Sequence, residues 1–371
     1  MRFFLVILCI FALTSCQTNE EKVMEEKKAY SFYVGTYTNS ESKGIYKYLL
    51  QEDGTIIKIG LAAISENPSF IAMSSDKKFL VAVSEINRND VGTVKSFLVE
   101  EDSLKFVDRS SSGGAHPCFV AVNEVGFVLT ANYTGGNVGL LKLTSDGKLS
   151  ELLDLQQHSG SGTTDRQKGP HAHSVWFEPN SNNVISVDLG TNELIFSQLD
   201  RVSRKLVPSN QYKLGMEPGA GPRHLAFHPN SDWIYVINEL DCTITQVKKS
   251  DTDSYEIGAS ISTLPEGFTE PNTCADIHVS SDGKFLYASN RGDNSIAIFE
   301  VDVHTGNLDL VGHESTRGDG PRNFSLSPDD NYLLVANQHT KNIVSFKRDK
   351  VTGLLNYISE IEAPTPVCIL F

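Results

Sequence analysis

The chain has 371 residues, with 32 Lys and Arg against 46 Asp and Glu and a formal net charge of −14 at pH 7. Such an acidic protein is poorly suited to bind nucleic acid or an anionic membrane surface, because like charges repel. Hydrophobic residues make up 40% of the chain, which is enough to bury a sizeable core.

The first fifteen residues have the features of a secretory signal. Arg2 precedes an apolar run at residues 3–13, and small residues then lead to Cys16. The apolar run is too short to span a bilayer as a helix. Residues 13–16 (LTSC) resemble the bacterial lipobox, which implies removal of residues 1–15 and lipidation of Cys16. A plain signal peptide with a chance Cys is the alternative.

Residues 16–29 form the next segment, which is rich in Glu and Lys and has almost no apolar side chain. It cannot bury a core and is predicted to be a flexible tether. We therefore expect an exported protein that is anchored by the lipid on Cys16, faces the periplasm or the cell surface, and has no other membrane contact.

Four cysteines follow the tether, at Cys118, Cys242, Cys274 and Cys368. Their spacing matches no metal motif, and three lie in apolar, strand-like runs. We interpret them as buried free thiols, with disulfides as the alternative in an oxidising compartment.

From residue 30 onward, a two-strand unit recurs at a spacing of roughly fifty residues. Each copy is a short apolar run, a polar turn and a second run rich in Val, Ile, Tyr and Phe, which is typical of an antiparallel hairpin. The copies lie at residues 68–85, 117–133, 171–190, 222–239, 274–291 and 321–338. Further alternating segments, such as 295–302 and 342–349, indicate about four strands per repeat.

A repeat of this length and strand content predicts a β-propeller. Residues 30–371 hold about seven repeats, so we predict one all-β domain, a seven-bladed β-propeller. The seventh unit is divided, because residues 31–37 lack a first strand and residues 364–371 supply one. We expect the C-terminal strand to be the innermost strand of the blade formed by residues 30–61, which leaves no open seam.

Polar residues gather where the hairpins open. The start of the first strand and the end of the second lie at one edge of a hairpin, so equivalent residues of all blades face one mouth. The second strands end at Thr36, Ser84, Asn132, Asp188, Asn238, Asn290 and Asn337, and the next positions are Tyr37, Glu85, Tyr133, Leu189, Glu239, Arg291 and Gln338. The first strands begin at His171 and His173, at Arg223 and His224, and at Arg322.

Charges collected in a concave mouth predict a binding site. Arg223, Glu239 and Arg291 are the clearest candidates, because no common turn geometry demands charged residues there. His171 and His173 share one face of an extended strand, so we expect one or both to point into the mouth. A structural role for the histidine is the alternative.

Six further side chains at the mouth are predicted to bind substrate: Asn132, Asp188, Asn238, Asn290, Arg322 and Asn337. For three of the asparagines the alternative is a structural role, since Asn at strand ends commonly satisfies turn amides. The long polar segment 158–169 should overhang the same mouth, either as a substrate-covering loop or as an idle surface loop.

The chain resembles the bacterial lactonase family of seven-bladed propellers over residues 30–371. The motifs that carry the resemblance are YVGTYT (33–38), GPHAHSV (169–175), GPRHLAFHP (221–229), YVINELD (235–241), DGKFLYASNRGDNSI (282–296), GPRNFSLSPD (320–329) and VANQ (335–338). The family includes cycloisomerase-type 6-phosphogluconolactonases and is related to fungal 3-carboxy-cis,cis-muconate lactonizing enzymes. The resemblance implies a catalytic set of one His, two Arg and one Glu, which falls on His171 or His173, Arg223, Arg291 and Glu239.

These residues suit hydrolysis of a sugar lactone to its acid. The arginines would hold the substrate and stabilise the oxyanion, and Glu239 or the His would accept a proton from water. Both 6-phosphogluconolactone-type and unphosphorylated aldonolactones fit, although export favours the latter. The alternatives are a muconate-type cycloisomerase and a non-catalytic propeller that binds a ligand or a protein.

We expect no cofactor, because no metal motif is present. A divalent ion held by Glu85, Asp188 and Glu239 is a disfavoured alternative. A small-molecule lactone is the expected partner, and the protein is expected to be a monomer or a weak dimer.

Overall fold

The computed structural model describes residues 29–230, 232–250 and 254–371. The predicted signal at 1–15 and the predicted lipidation site, Cys16, lie outside the described residues, as does the tether up to residue 28. Among the described residues, no helix has the length and apolar character needed to cross a lipid bilayer.

The described chain forms seven antiparallel sheets of four strands each. The first fourteen strands are β1 (Tyr30–Thr36), β2 (Gly44–Leu50), β3 (Ile56–Ile64), β4 (Ile71–Met73), β5 (Phe79–Arg88), β6 (Val91–Val99), β7 (Leu104–Ser111), β8 (Pro117–Val122), β9 (Phe127–Asn132), β10 (Asn137–Lys142), β11 (Asp154–Gln157), β12 (Ala172–Phe177), β13 (Asn183–Asp188) and β14 (Glu193–Asp200).

The second half of the chain continues the pattern. Its strands are β15 (Lys205–Gly215), β16 (Pro222–Phe227), β17 (Trp233–Asn238), β18 (Thr243–Lys249), β19 (Tyr255–Ser262), β20 (Thr273–Val279), β21 (Phe285–Arg291), β22 (Ser295–Val301), β23 (Leu308–Ser315), β24 (Pro321–Leu326), β25 (Tyr332–Asn337), β26 (Asn342–Arg348), β27 (Leu355–Glu362) and β28 (Pro366–Leu370). A short 3₁₀ helix, Asp165–Gln167, lies between β11 and β12. The prediction of a seven-bladed propeller is confirmed.

We number the blades along the chain. Blade 1 is β28-β1-β2-β3, and blades 2 to 7 are successive groups of four strands from β4 to β27. The second strands are mostly buried, as in β17 (WIYVIN), because both faces of a blade pack against neighbouring blades. The outermost strands, such as β19, are mostly exposed. Apolar clusters accordingly lie between the blades, and one joins β21 of blade 6 to β25 of blade 7.

A hydrogen-bonded turn repeats between the first two strands of several blades. In blade 6 the Ser280 hydroxyl donates to Asp282 (2.6 Å) and accepts from the backbone N–H of Phe285 (3.0 Å). Ser74 and Ser327 make the same pair of bonds in blades 2 and 7. The polar Ser-x-Asp turn of the sequence therefore reverses the chain at the face opposite the mouth.

Ring closure follows the predicted arrangement. β28 is the innermost strand of blade 1 and runs antiparallel to β1, with Tyr33 opposite Leu370 and Thr36 opposite Pro366. We call the face where Thr36 lies the upper mouth, and the opposite face, where β1 begins at Tyr30, the lower face. The four described cysteines are buried free thiols, as predicted.

Candidate active site

Each innermost strand from blade 3 to blade 7 is irregular at the upper mouth. In blade 5, Pro222 pairs with Asn238 and His224 pairs with Ile237, so Arg223 has no partner residue on β17. This is a β-bulge, which re-aims the extra side chain. Arg223 therefore points toward the propeller axis while the strand on either side keeps its normal pairing.

The same bulge recurs around the ring. It leaves Cys118, His173 and Arg322 without a partner in blades 3, 4 and 7. These three side chains line a cavity of about 310 Å³. Arg223 lines its narrow continuation below, which has a volume of about 10 Å³.

A second set of lining residues comes from the positions that end or follow the second strands. Glu85, Tyr133, Glu239 and Arg291 all line the cavity, as the hairpin register predicts. A larger groove of about 720 Å³ lies on the lower face beside Asn180, but its lining is formed by turns between strands. We therefore place the candidate site in the axial cavity, where charged groups of both signs converge.

Glu239 lies at the centre of this cluster. Its Oε2 atom is 3.0 Å from Arg223 Nε and 3.1 Å from Arg291 Nη2. Its Oε1 atom accepts a hydrogen bond from Arg166 Nη2 at 3.0 Å. Burial raises the pKa of Glu239, but Arg291, Arg223 and Arg166 outweigh it and lower the pKa to about 2. The carboxylate is therefore ionised at neutral pH.

Arg223 is fixed from several sides. Besides Glu239, it donates through Nη1 to the backbone oxygen of Ala275 (2.5 Å), and Nη1 lies 3.4 Å from His224 Nε2. His224 Nδ1 is 2.8 Å from Asp276 Oδ1. Burial and the charge of Arg223 lower the pKa of His224 to about 4. We assign a neutral His224 that donates from Nδ1 to Asp276 and turns its Nε2 lone pair toward Arg223.

His173 is the histidine of the cavity. Its Nε2 atom is 4.0 Å from Glu239 Oε2, and its ring lies edge-on to Tyr133 and His224. Burial and the charge of Arg223 hold the pKa of His173 well below its usual range. The ring is therefore a neutral imidazole at pH 7, with a lone pair available to accept a proton.

His171, the other candidate, is placed differently. Its ring stacks on Tyr133 with centroids 4.5 Å apart, and its Nδ1 atom is 3.0 Å from the backbone oxygen of Tyr133. It does not line the axial cavity. The bulge residue of blade 4 is His173, and His171 precedes the strand, so the backbone register separates the two rings.

Arg322 belongs to a second hydrogen-bonded group in the cavity, which it forms with Tyr37 and Glu85. Its Nη2 atom donates to the Tyr37 hydroxyl (3.0 Å), which donates in turn to Glu85 Oε2 (2.8 Å). The guanidinium also lies over the Tyr37 ring, 5.4 Å from its centroid. Of the six side chains predicted to bind substrate, Arg322 is in the cavity lining.

The other five are completely buried and outside the cavity lining; they are Asn132, Asp188, Asn238, Asn290 and Asn337. Three asparagines donate from Nδ2 to the backbone oxygen that follows the outermost strand of the preceding blade. The bonds are Asn132 to Ser112 (2.9 Å), Asn290 to Thr263 (2.8 Å) and Asn337 to Thr316 (2.9 Å). Neighbouring positions of an extended chain point in opposite directions. Tyr133 and Arg291, which follow Asn132 and Asn290, accordingly line the cavity.

Asp188 and Asn238 are engaged in a comparable way. Asp188 accepts from His158 (2.6 Å between Oδ2 and Nδ1) and from the backbone N–H groups of His171 and Thr191. Asn238 donates to the Thr243 and Thr245 hydroxyls. These buried side chains therefore stabilise the loops and strand ends that form the mouth, and they do not face the cavity.

No three His, Cys, Asp or Glu side chains of the described residues are placed to hold a metal ion. The three carboxylates considered for such a site have separate partners. Glu85 accepts from Tyr37, Asp188 from His158, and Glu239 from arginines.

Arg166 is a lining residue that the sequence did not single out. It lies on the 3₁₀ helix of segment 158–169, and its Nη2 atom donates both to Tyr133 (3.0 Å) and to Glu239. The buried Gln167 anchors the segment by donating from Nε2 to the backbone oxygen of Leu189 (2.9 Å). Segment 158–169 thus places a cation over the cavity. Cys118 was also missed, although aligning the repeats on their first Pro would have revealed its equivalence to Arg223.

Comparisons with known proteins agree with the fold. Residues 31–371 match the family model described as "Lactonase, 7-bladed beta-propeller". The chain is 37% identical over 350 residues to a 6-phosphogluconolactonase of Bacillus subtilis, covering 92% of this chain and 98% of that protein.

Two solved structures are closely similar. A protein from Lactobacillus plantarum has a TM-score of 0.87 and 34% identity, covering 93% of this chain and 99% of its own. A periplasmic gluconolactonase from Pseudomonas aeruginosa has a TM-score of 0.87 and 27% identity, covering 92% and 98%.

Proposed function

Because the chain belongs to the family of seven-bladed β-propeller lactonases, we propose that it hydrolyses the ring ester of a sugar lactone in the axial cavity. The observation that carries the proposal is the arrangement of Glu239 with three arginines beside the neutral His173. This cluster offers fixed cations and a proton acceptor within one small space, which ester hydrolysis requires.

Arg223 and Arg291 are assigned to the lactone carbonyl. Hydrolysis places a negative charge on that oxygen, and guanidinium groups already held in position stabilise it without reorganising. Arg291 Nε is a buried donor with no hydrogen-bond partner among the described residues. Such a group is costly to leave unpaired, so a substrate oxygen would gain by satisfying it.

His173 is assigned as the base. It takes a proton from the attacking water while the water oxygen bonds to the carbonyl carbon. Its imidazolium then lies beside the Glu239 carboxylate, and the oxyanion offsets part of the arginine charge that otherwise disfavours the cation. When the tetrahedral intermediate collapses, the ring C–O bond breaks and His173 returns the proton to the departing oxygen.

Glu239 is assigned an electrostatic role. A carboxylate with a pKa of about 2 is a poor proton acceptor near neutral pH. Its contacts instead orient Arg223 and Arg291 and provide the negative charge that a protonated His173 needs. The sequence left open whether Glu239 or the histidine accepts the proton from water. We assign that role to His173 and the electrostatic role to Glu239.

The substrate is proposed to be an unphosphorylated aldonolactone. The predicted signal at residues 1–15 would take the protein out of the cytosol, where sugar phosphates are retained. The similar protein of Pseudomonas aeruginosa is named a periplasmic gluconolactonase, whereas the Bacillus subtilis relative is named a 6-phosphogluconolactonase. We therefore include export in the proposal, and more specifically anchoring to the membrane through a lipid on Cys16.

Acid release from glucono-1,5-lactone, its 6-phosphate and a muconolactone tests the proposal. The assay is best run near pH 6.5, where spontaneous ring opening is slow. We expect the full chain to open a sugar lactone well above the spontaneous rate, and the Arg223→Ala variant to lose most of that rate. Turnover of the muconolactone alone would favour the cycloisomerase, and no acceleration of any lactone would favour a binding propeller.

A further inference from the structure

Arg166 differs from the other arginines of the cavity in its exposure. Half of its side-chain surface is accessible, whereas Arg223 and Arg291 are 3% and 17% exposed. It is supplied by segment 158–169 rather than by a strand, and it lines the same cavity. A ligand that enters from the upper mouth therefore meets Arg166 before it meets the buried arginines.

The contacts of Glu239 divide between its two oxygens. Oε2 faces the buried Arg223 and Arg291, while Oε1 accepts from Arg166 alone among the described residues. Solvent screens the half-exposed guanidinium of Arg166 more than it screens the buried Arg223 and Arg291. The bond between Arg166 and Oε1 is therefore the contact of Glu239 that a ligand entering from the upper mouth can exchange most readily.

The backbone beneath Arg166 is held firmly. Gln167 Oε1 accepts from the backbone N–H groups of Thr163 and Thr164, and its Nε2 donates to Leu189 and Asn192. Gln167 is completely buried. Arg166 can thus exchange hydrogen-bond partners by moving its side chain alone, while the backbone of segment 158–169 stays in place.

We propose that Arg166 is a substrate-binding residue that exchanges Glu239 Oε1 for the exocyclic oxygen substituent of the lactone. The inference rests on the proposed lactone hydrolysis and extends it by assigning the outer end of the substrate to a named side chain. A planar guanidinium donates two hydrogen bonds to a polyol or, more strongly, to a phosphate. Tyr133, which also accepts from Arg166 Nη2, keeps the side chain near the mouth during the exchange.

Kinetics of Arg166→Ala, Arg166→Lys and Lys168→Ala in the full chain test the inference. Lys168 is the matched control, because it lies on the same segment, is exposed and pairs with Asp165 rather than with the cavity. We expect Arg166→Ala to raise KM for glucono-1,5-lactone at least tenfold, and KM for its 6-phosphate more, with kcat changed less than threefold. Arg166→Lys should recover part of the affinity, and Lys168→Ala none of these changes.

A binding measurement separates this inference from the proposed function. Calorimetry with gluconate and 6-phosphogluconate reports affinity without turnover, and we expect a loss of at least tenfold for Arg166→Ala, with a melting temperature equal to that of the wild type. A KM and an affinity within twofold of the wild type would overturn the role of Arg166 while leaving lactone hydrolysis intact. A wild-type chain that opens no lactone would instead overturn the proposed function.

Discussion

His173 and Arg223 occupy the same position in adjacent blades, because each is the unpaired residue of the bulge that opens its innermost strand. The two side chains therefore leave equivalent positions of their strands and both point toward the axis. Glu239 pairs with Arg223 at 3.0 Å and lies 4.0 Å from His173. One backbone irregularity, repeated by the fold, thus brings a proton acceptor and a cation to one carboxylate.

The first prediction separates the two histidines of blade 4. His173→Asn should lower kcat for lactone hydrolysis by about 10²–10⁴, the usual range for loss of a general base. His171→Asn should lower it less than threefold, because that ring stacks on Tyr133 outside the cavity. Initial rates of both variants provide the check. A larger loss in His171→Asn than in His173→Asn would reverse the assignment.

The second prediction concerns Glu239→Gln. The amide keeps the shape but leaves buried arginines without their counter-charge, so we expect kcat/KM to fall by about 10²–10³ and the free energy of unfolding to fall by roughly 3–5 kcal/mol. Glu178→Gln is the matched control, since Glu178 is also buried and bonded to Lys249 at 3.0 Å. Urea denaturation and initial rates should show destabilisation in both variants but lost turnover in Glu239→Gln alone.

The third prediction concerns the asparagines behind the cavity. Asn290→Ala removes an amide that donates to Thr263 O and accepts from the Thr263 hydroxyl. We expect a loss of about 1–3 kcal/mol in the free energy of unfolding, because buried partners are left unpaired, and KM within twofold of the wild type. A raised KM with unchanged stability would instead support the substrate-binding role expected from the sequence.

The fourth prediction concerns pH. The pKa of His224 is lowered to about 4, against about 6.5 in the unfolded chain. Between these values the unfolded chain binds a proton that the folded protein does not, so stability is lost as pH falls from 6.5 toward 4. His224 accounts for up to about 3 kcal/mol of that loss. His173 adds to the loss in the same window. The raised pKa of His278 acts above pH 6.5 instead, where its contribution to stability is lost as pH rises.

Comparison of variants isolates the contribution of His224. Urea denaturation at several pH values should give a flatter stability profile between pH 6.5 and 4 for His224→Asn than for the wild type. The exposed His304 is the control, and His304→Asn should keep the wild-type slope. Equal slopes for the wild type and His224→Asn would contradict the prediction.

The blade count and the closing strand could be predicted because apolar alternation and polar turns recur with a fixed period. The placement of Glu239 and Arg291 at the mouth followed from hairpin register alone. The bulges could not be predicted, since one extra residue such as Arg223 leaves no mark on the apolar pattern. For the same reason the sequence could not show which of His171 and His173 faces the cavity. It also could not show that Asn290 lies behind the cavity wall while the next residue, Arg291, faces the axis.

Arg166 was beyond prediction for a different reason. Segment 158–169 has no periodicity from which a direction can be inferred, and its path depends on the burial of Gln167 against Leu189 and Asn192. A polar loop of this kind becomes interpretable only when its anchors are known.

The direction of β1 also sets the face of the propeller at which the described chain begins. The strand begins at Tyr30 on the lower face and reaches the upper mouth at Thr36, roughly 20 Å away at 3.3 Å per residue. Under the proposed anchoring through Cys16, the tether would therefore join the propeller at the lower face, opposite the cavity mouth. The attachment point and the substrate entrance would then lie at opposite ends of the propeller axis, so anchoring would leave the cavity accessible.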